Sequence, residues 1–227
     1  MINFTNTNQA SLEAGIKILC YGQAGHGKTT LCATAPRPVI ISAEAGLLSL
    51  ARYSIPVAEI SSLLDLREMY KWVTESADAR NFDTICLDSV SEIAEKLLAN
   101  AKKTVKDPRQ AYGLLIDEMS DVVRAFRDLR GKHVYFTAKQ EWIKDDVTGK
   151  MMFGPTMPGQ KMGQALPYFF DEVFCLRIGT SPDMKQTFRY LQTQPDFQYM
   201  AKDRSGRLEA MEMPDLNHVF GKMLAAA

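Results

Sequence analysis

Histidine is scarce, with three in 227 residues, and the four cysteines (Cys20, Cys32, Cys86 and Cys175) are scattered through apolar stretches without CxxC spacing. Neither a clustered metal site nor a disulfide framework fits that pattern; buried, reduced thiols in a cytoplasmic protein are the expectation. Long apolar runs are missing too. None approaches the roughly 18 residues of a membrane helix, and the start at Met1 to Asn6 lacks the basic head and apolar core of an export signal. A soluble protein that does not engage a membrane is expected. Net charge is also absent: Lys plus Arg number 27 and Asp plus Glu number 27, so a polyanion has to be met by a local patch and not by the field of the whole molecule. That balance weakens a nucleic-acid reading and leaves it open. What remains is 46% hydrophobic and 24% charged, a globular composition, and the length suits one large α/β domain with a buried core.

The most informative stretch is Gly22-Gln23-Ala24-Gly25-His26-Gly27-Lys28-Thr29-Thr30. It has the P-loop form of glycine, four residues, then Gly-Lys-Thr, and it follows an apolar run at residues 16–21 as a strand should precede such a loop. Glycines permit backbone angles that side chains forbid, so successive N–H groups can turn inward and cradle phosphate oxygens. Lys28 then reaches the β- and γ-phosphates of a nucleoside triphosphate, and the Thr29 hydroxyl ligates Mg²⁺. A chance glycine-rich turn is the alternative. The strand before, the helix-compatible run after and a second motif downstream argue against it.

That second motif is the run 83–89, Asp-Thr-Ile-Cys-Leu-Asp-Ser. A buried apolar strand ending in Asp88 has the form of a Walker B strand, which holds the Mg²⁺ shell directly or through water. Between the two motifs, the β-rich run 37–42 delivers Glu44 to the end of a strand expected to lie next to the phosphate strand, where parallel sheets place their chemistry. Glu44 is the candidate base for the attacking water; a carboxylate placed to suit a helix dipole is the alternative.

Periodicity predicts helices over 62–77, 89–101 and 114–130, the last ended by Gly131. Residues 133–137 form the next strand, bringing Lys139 and Gln140 to the same sheet edge as candidate γ-phosphate sensors. A β-hairpin follows, with its turn at 146–149. Residues 154–163, rich in Gly, Pro and Met, read as a long, disordered loop. Strand-like runs at 172–178, 187–192 and 196–201 suggest an antiparallel extension of a mainly parallel sheet. Lys202 and Arg204 alternate at the end of the last run, a geometry for gripping a phosphate or a plain charged turn. The organisation expected is an N-terminal arm at 1–14, a core at 15–206, and a C-terminal tail or short helix at 207–227. The most basic short segment, 102–110, carries Lys102, Lys103, Lys106 and Arg109; it is either a contact for nucleic-acid phosphates or a solvated loop.

The order of these motifs, with 162–166 after them, resembles the RecA-type ATPase core over residues 15–204, and among such proteins it looks most like the phage-encoded, single-domain RecA-like ATPases that act as single-strand annealing recombinases. The resemblance implies an α/β RecA-like P-loop NTPase fold, ATP and Mg²⁺ as cofactors, Glu44 as catalytic glutamate and Asp88 as the Walker B acid. It implies DNA-binding segments at 102–110 and at 154–163, the latter including Lys161. Lys202 and Arg204 look like the Lys-x-Arg pair that DnaB-type hexameric helicases insert into a neighbour's ATP site, so a homo-oligomer with shared sites is implied. Single-stranded DNA, and a single-strand binding protein beside it, are the implied partners, in a host cytoplasm if the chain is phage-encoded. The chain departs from the family in having Lys139 with Gln140 where a lone glutamine is usual, in Ser89 after the Walker B acid, and in having no large C-terminal DNA-binding domain. Two other functions compete. A nucleotide-dependent switch acting on a protein partner is favoured by zero net charge and few aromatics in the two loops. A small-molecule kinase is disfavoured by the lack of an arginine-rich lid.

Overall fold

Gly15 separates the first helix, α1 (Thr7–Ala14), from the first strand, β1 (Lys17–Gly22). Its φ is 72° and a Cβ there would lie 2.3 Å from the carbonyl oxygen of Lys132, so glycine alone lets the chain enter the sheet at this point. The computed structural model describes residues 4–44, 47–144, 149–183 and 185–225. After β1 come α2 (Lys28–Leu31), a 3-10 turn at Cys32–Thr34, β2 (Pro38–Ser42), β3 (Val57–Glu59) and α3 (Leu63–Glu75). Then follow β4 (Thr84–Asp88), α4 (Val90–Thr104), α5 (Pro108–Arg127), β5 (His133–Lys144), β6 (Met151–Thr156) and α6 (Gln160–Ala165). The chain closes with β7 (Glu172–Thr180), β8 (Thr187–Gln192), β9 (Lys202–Asp203), β10 (Met211–Glu212) and α7 (Leu216–Leu224).

Local sequence explains the main helices. Ser62 and Asp65 form a reciprocal capping box at the start of α3. Asp107 caps α5, with Pro108 at its first position. Along α5, Leu115, Met119, Val122, Val123 and Phe126 form the buried stripe.

The strands make one ten-stranded sheet in the order β10-β8-β7-β1-β5-β4-β2-β3, with β6 added to β5 and β9 to β7. Strands β7, β1, β5, β4, β2 and β3 are mutually parallel, and β6, β8, β9 and β10 are antiparallel to their partners. Side chains alternate across the sheet. Leu19, Tyr21, Ile85, Leu87 and Phe136 pack under α3, α4 and α5, while Ile18, Cys20, Cys86 and Tyr135 pack with Leu31, Val219 and Phe220 on the other face. The central strands are buried on both faces, which is why they read as unbroken apolar runs. All four cysteines are buried and free. Among the described residues, no helix is long and apolar enough to cross a membrane.

Three expectations are corrected here. Strand β2 does not lie next to β1; β5 and β4 stand between them, because strand order is set by how the crossovers pack and leaves no local sequence mark. Residues 154–163 are not a disordered loop: residues 154–156 finish β6 and residues 160–163 begin α6. Pro155 is tolerated because Phe153, two residues earlier on β6, turns its amide away from β5 toward the Gln198 carbonyl, so the nitrogen of Pro155 also faces away from the β5 ladder. The run 196–201 is not a strand, since Asp196 Oδ1 accepts from the amides of Gln198 and Tyr199 at 2.7 Å each, folding the backbone into an Asx turn. The C-terminal stretch expected as a tail or a short helix holds β10 and the helix α7, whose Leu216, Val219 and Phe220 are buried. The predicted hairpin of β5 and β6 is present; residues 146–148 of its turn lie outside the described residues.

Glu172 opens β7 with 2% of its surface exposed. Its Oε1 accepts from the amide of Ser205 at 3.2 Å, and its Oε2 has no partner among the described residues. Burial, reinforced by the neighbouring Asp203, pushes its pKa up to about 8. A carboxyl whose folded pKa exceeds its unfolded value of 4.5 favours the fold fully below that lower value and loses the contribution as pH rises through the upper one. Thermal stability should therefore decline between about pH 4.5 and pH 8, and Glu172→Gln should flatten that decline. At pH 8 the variant is expected to be the more stable by on the order of a few kcal/mol, several degrees in Tm. Equal slopes for the two proteins in pH-resolved melting would contradict this.

Candidate active site

The loop 22–30 leaves β1 at the C-terminal edge of the sheet, and Gly25 and Gly27 take φ values of 78° and 105°, angles that few other residues adopt. Lys28 folds back over the loop, its Nζ donating to the carbonyls of Gly22 at 2.8 Å and Gln23 at 3.1 Å. From below, the Tyr135 hydroxyl donates to the Lys28 carbonyl at 3.1 Å. The lysine lines a cavity of about 1060 Å³ with the rest of the loop, and among the described residues its ammonium has only neutral carbonyls to leave when a phosphate arrives.

Asp88 ends β4 with 1% of its surface exposed. The Thr29 hydroxyl donates to its Oδ2 at 2.7 Å and the Thr137 hydroxyl donates to its Oδ1. Burial raises its pKa above the ordinary carboxylate range, and the nearby Glu44 adds to the effect. Two neutral hydroxyls do not balance a buried carboxylate, and hard oxygen donors of this kind suit Mg²⁺. Thr29 and Asp88 are the residues that would hold that ion, which supplies charge neutralisation on nucleotide phosphates.

The β2–β4 pairing puts Ser42 opposite Asp88, and the Ala43 amide donates to the Asp88 carbonyl at 2.9 Å. Glu44 is thus held beside Asp88 by the neighbouring strand β4 and not by β1. It is half-buried, lines the same cavity, and its backbone is fixed by hydrogen bonds with the Ser42 hydroxyl at 3.2 Å. A carboxylate so placed can accept a proton from water inside the cavity.

Strand β5 brings Lys139 level with Gly22. Lys139 Nζ pairs with Glu92 at 3.0 Å and Glu95 at 2.7 Å, both on α4. Gln140 accepts a weak bond from the Cys175 thiol at 3.8 Å. Both Lys139 and Gln140 line the nucleotide-sized cavity, and Lys139 also lines a second one of about 450 Å³ beneath Trp142.

A family model described as an AAA domain matches residues 14–205, most of the chain. The chain belongs to this AAA-domain family. With the geometry above, the AAA domain is an α/β P-loop NTPase fold around a P-loop ATPase core. No curated protein matches it. Among solved structures, it is similar to a KaiC-like protein of the hyperthermophilic archaeon Pyrococcus horikoshii, at 16% identity over 84% of each chain with a TM-score of 0.45.

Other predicted residues of the AAA domain lie elsewhere. Strand β9 pairs with the start of β7, at Glu172 and Val173, whereas the P-loop leaves β1 beyond Tyr21, level with Cys175. Lys202 and Arg204 are therefore on the edge away from their own chain's cavity. Lys202 is not a free cation: its Nζ donates to the carbonyls of Phe170 and, at 2.7 Å, Pro167, satisfying backbone acceptors around the 3-10 turn Leu166–Phe169 that lack helical partners. Arg204 pairs with Asp171 at 3.1 Å and is 59% exposed. Lys102 and Lys103 occupy the last turn of α4, where the helix dipole favours cations; Lys106 and Arg109 are exposed beyond it. Lys161 falls on α6, its side chain outside the described set. The two predicted DNA segments meet at Tyr112 of α5: Lys102 Nζ lies 5.3 Å from its ring centroid, and a Cβ on Gly159 would lie 3.9 Å from the ring.

Among the cavity-lining residues that sequence reasoning missed are Arg52, Tyr53 and Arg189. Arg52 stacks over Tyr53 at 4.9 Å and both line the wall beyond Glu44; an adjacent Arg-Tyr pair shortly after the candidate base was the available signal. Arg189, on β8, also lines the cavity, and nothing in its strand-like surroundings marked it.

Proposed function

We propose that this AAA domain hydrolyses ATP with Mg²⁺ as a RecA-like motor, working as an oligomer on single-stranded DNA to promote annealing. The observation that carries the hydrolytic reading is the convergence of Lys28, the Thr29–Asp88 hydrogen bond and Glu44 on one cavity. Lys28 neutralises phosphate charge, Thr29 and Asp88 serve the metal, and Glu44 orients and deprotonates the attacking water. The DNA reading is supported by the junction at Tyr112, where the exposed Lys102 and a 37% exposed ring lie together, the combination that takes phosphates and stacks bases.

Sharing of sites rests on Arg204, half-exposed on the edge away from its own cavity and so available to a neighbour's. The test is steady-state ATP hydrolysis with and without single-stranded DNA, repeated over a salt series. Stimulation by DNA and a negative slope of log affinity against log salt are expected. Arg204→Ala should lower the rate by about 10³-fold or more, and mixing it with Lys28→Ala protein, which keeps the arginine, should restore turnover. Hydrolysis indifferent to DNA, with Arg204→Ala unaffected, would transfer the reading to a switch acting on a protein partner.

A further inference from the structure

The β7–β8 hairpin overhangs the phosphate loop. Strand β7 runs beside β1 only as far as Cys175, level with Tyr21, and then continues to Thr180 with β8 returning against it. Three contacts tie the loop to this overhang. A Cβ on Gly22 would lie 2.7 Å from the Leu176 carbonyl oxygen, the His26 ring nitrogen Nδ1 lies 2.8 Å from the same oxygen, and Arg189 Nε donates to the His26 carbonyl at 2.8 Å.

Arg189 stands opposite Ile178 in the hairpin and its guanidinium passes within 3.5 Å of where a Gly27 Cβ would be. That bond to His26 engages Nε. The terminal nitrogens have no carboxylate partner among the described residues, and the side chain lines the cavity. An arginine anchored through Nε presents its two outer N–H groups as a fork, the shape that suits phosphate oxygens. The other cations on the cavity are differently placed: Lys139 is held by Glu92 and Glu95, and Arg52 lies over Tyr53.

We infer that Arg189 is a nucleotide-binding residue, contributed within the same chain, whose guanidinium binds a phosphate oxygen of the nucleoside di- or triphosphate held by the loop 22–30. This deepens the nucleotide reading above and rests on it. A residue reaching the loop from the last part of the sheet makes the hairpin part of the binding site. It also gives the site a second cation besides Lys28 that needs no neighbouring subunit.

The experiment is calorimetric titration of the full chain with ADP and with ATP in the presence of Mg²⁺, for wild type, Arg189→Ala and Arg189→Lys, at several salt concentrations. Wild type binds both nucleotides; Arg189→Ala binds them about 10- to 100-fold more weakly, with a shallower salt dependence. Arg189→Lys retains the charge without the fork or the Nε anchor, so it recovers part of the affinity and the wild-type salt dependence. Arg189→Ala binding as tightly as wild type would overturn the inference while leaving the nucleotide site standing. So would Arg189→Ala and Arg189→Lys that are equally weak with an unchanged salt slope, because the arginine would then only brace the His26 carbonyl. Wild type that binds neither nucleotide would overturn the nucleotide reading itself and this inference with it.

Discussion

Lys28→Ala is expected to hydrolyse ATP at least about 100-fold more slowly than wild type, the cost of removing one preorganised charge from a developing anion, and to bind ATP more weakly as well. Lys28 rests on the carbonyls of Gly22 and Gln23, so the folded loop does not depend on an ion pair through this side chain. The variant should therefore melt close to wild type, and the loss should be confined to nucleotide affinity and turnover. Parallel measurement of Tm, ATP affinity and rate separates the possibilities. A variant that hydrolyses ATP at the wild-type rate would show that the cavity at 22–30 is not where turnover occurs.

Glu44→Gln should behave differently. Glu44 lies beside Asp88 and lines the cavity, so its amide variant keeps the shape of the site and loses the proton acceptor. The expected result is a fall in kcat of about 10²- to 10⁴-fold with ATP affinity close to that of wild type. Removing a negative charge next to Asp88 can tighten nucleotide binding, since polyphosphate and carboxylate repel one another. Single-turnover kinetics on pre-bound ATP isolates the chemical step. If affinity and rate fell together by the same factor, Glu44 would be a binding residue and the base would have to be sought elsewhere on the cavity wall.

These two residues also mark what sequence can and cannot convey. Lys28 was legible because the P-loop is a local device: its glycines, lysine and threonine lie within nine consecutive positions, and the chemistry dictates each type. Asp88 was legible for a related reason, as the acid at the end of an unbroken apolar strand. Glu44 lines the cavity as expected, but that expectation rested on a partly mistaken strand order. Its strand pairs with β4 and not with β1, and strand order arises from the packing of distant crossovers. Thr137, which completes the Asp88 carboxyl's hydrogen bonds, belongs to a strand recognised in sequence, but the partner of a side chain across two strands cannot be read from periodicity.

The misreadings have a common physical origin. Glycine and proline in 154–163 signalled a loop, because their propensities describe isolated chain; an edge position on β5 overrode them. In 196–201 the apolar alternation suggested a strand, and a single aspartate bonding two following amides turned the backbone instead. Lys202 looked like a cation awaiting an anion, whereas the nearest unmet acceptors were backbone carbonyls of its own chain. A tertiary neighbour decided the first and the last of these cases and a local side-chain-to-backbone contact the second, between readings that the sequence pattern left balanced.

The strand beneath the phosphate loop is buried at all six positions and hydrogen-bonded on both sides. In mechanical terms it is a foundation and not a hinge: bending it would break two ladders at once and open the cores on both faces. Any shape change that accompanied nucleotide turnover would therefore fall on the parts that extend past the sheet, above all the hairpin of β5 and β6 and the overhang of β7 and β8. Work extracted from the nucleotide would leave the molecule at those two rims.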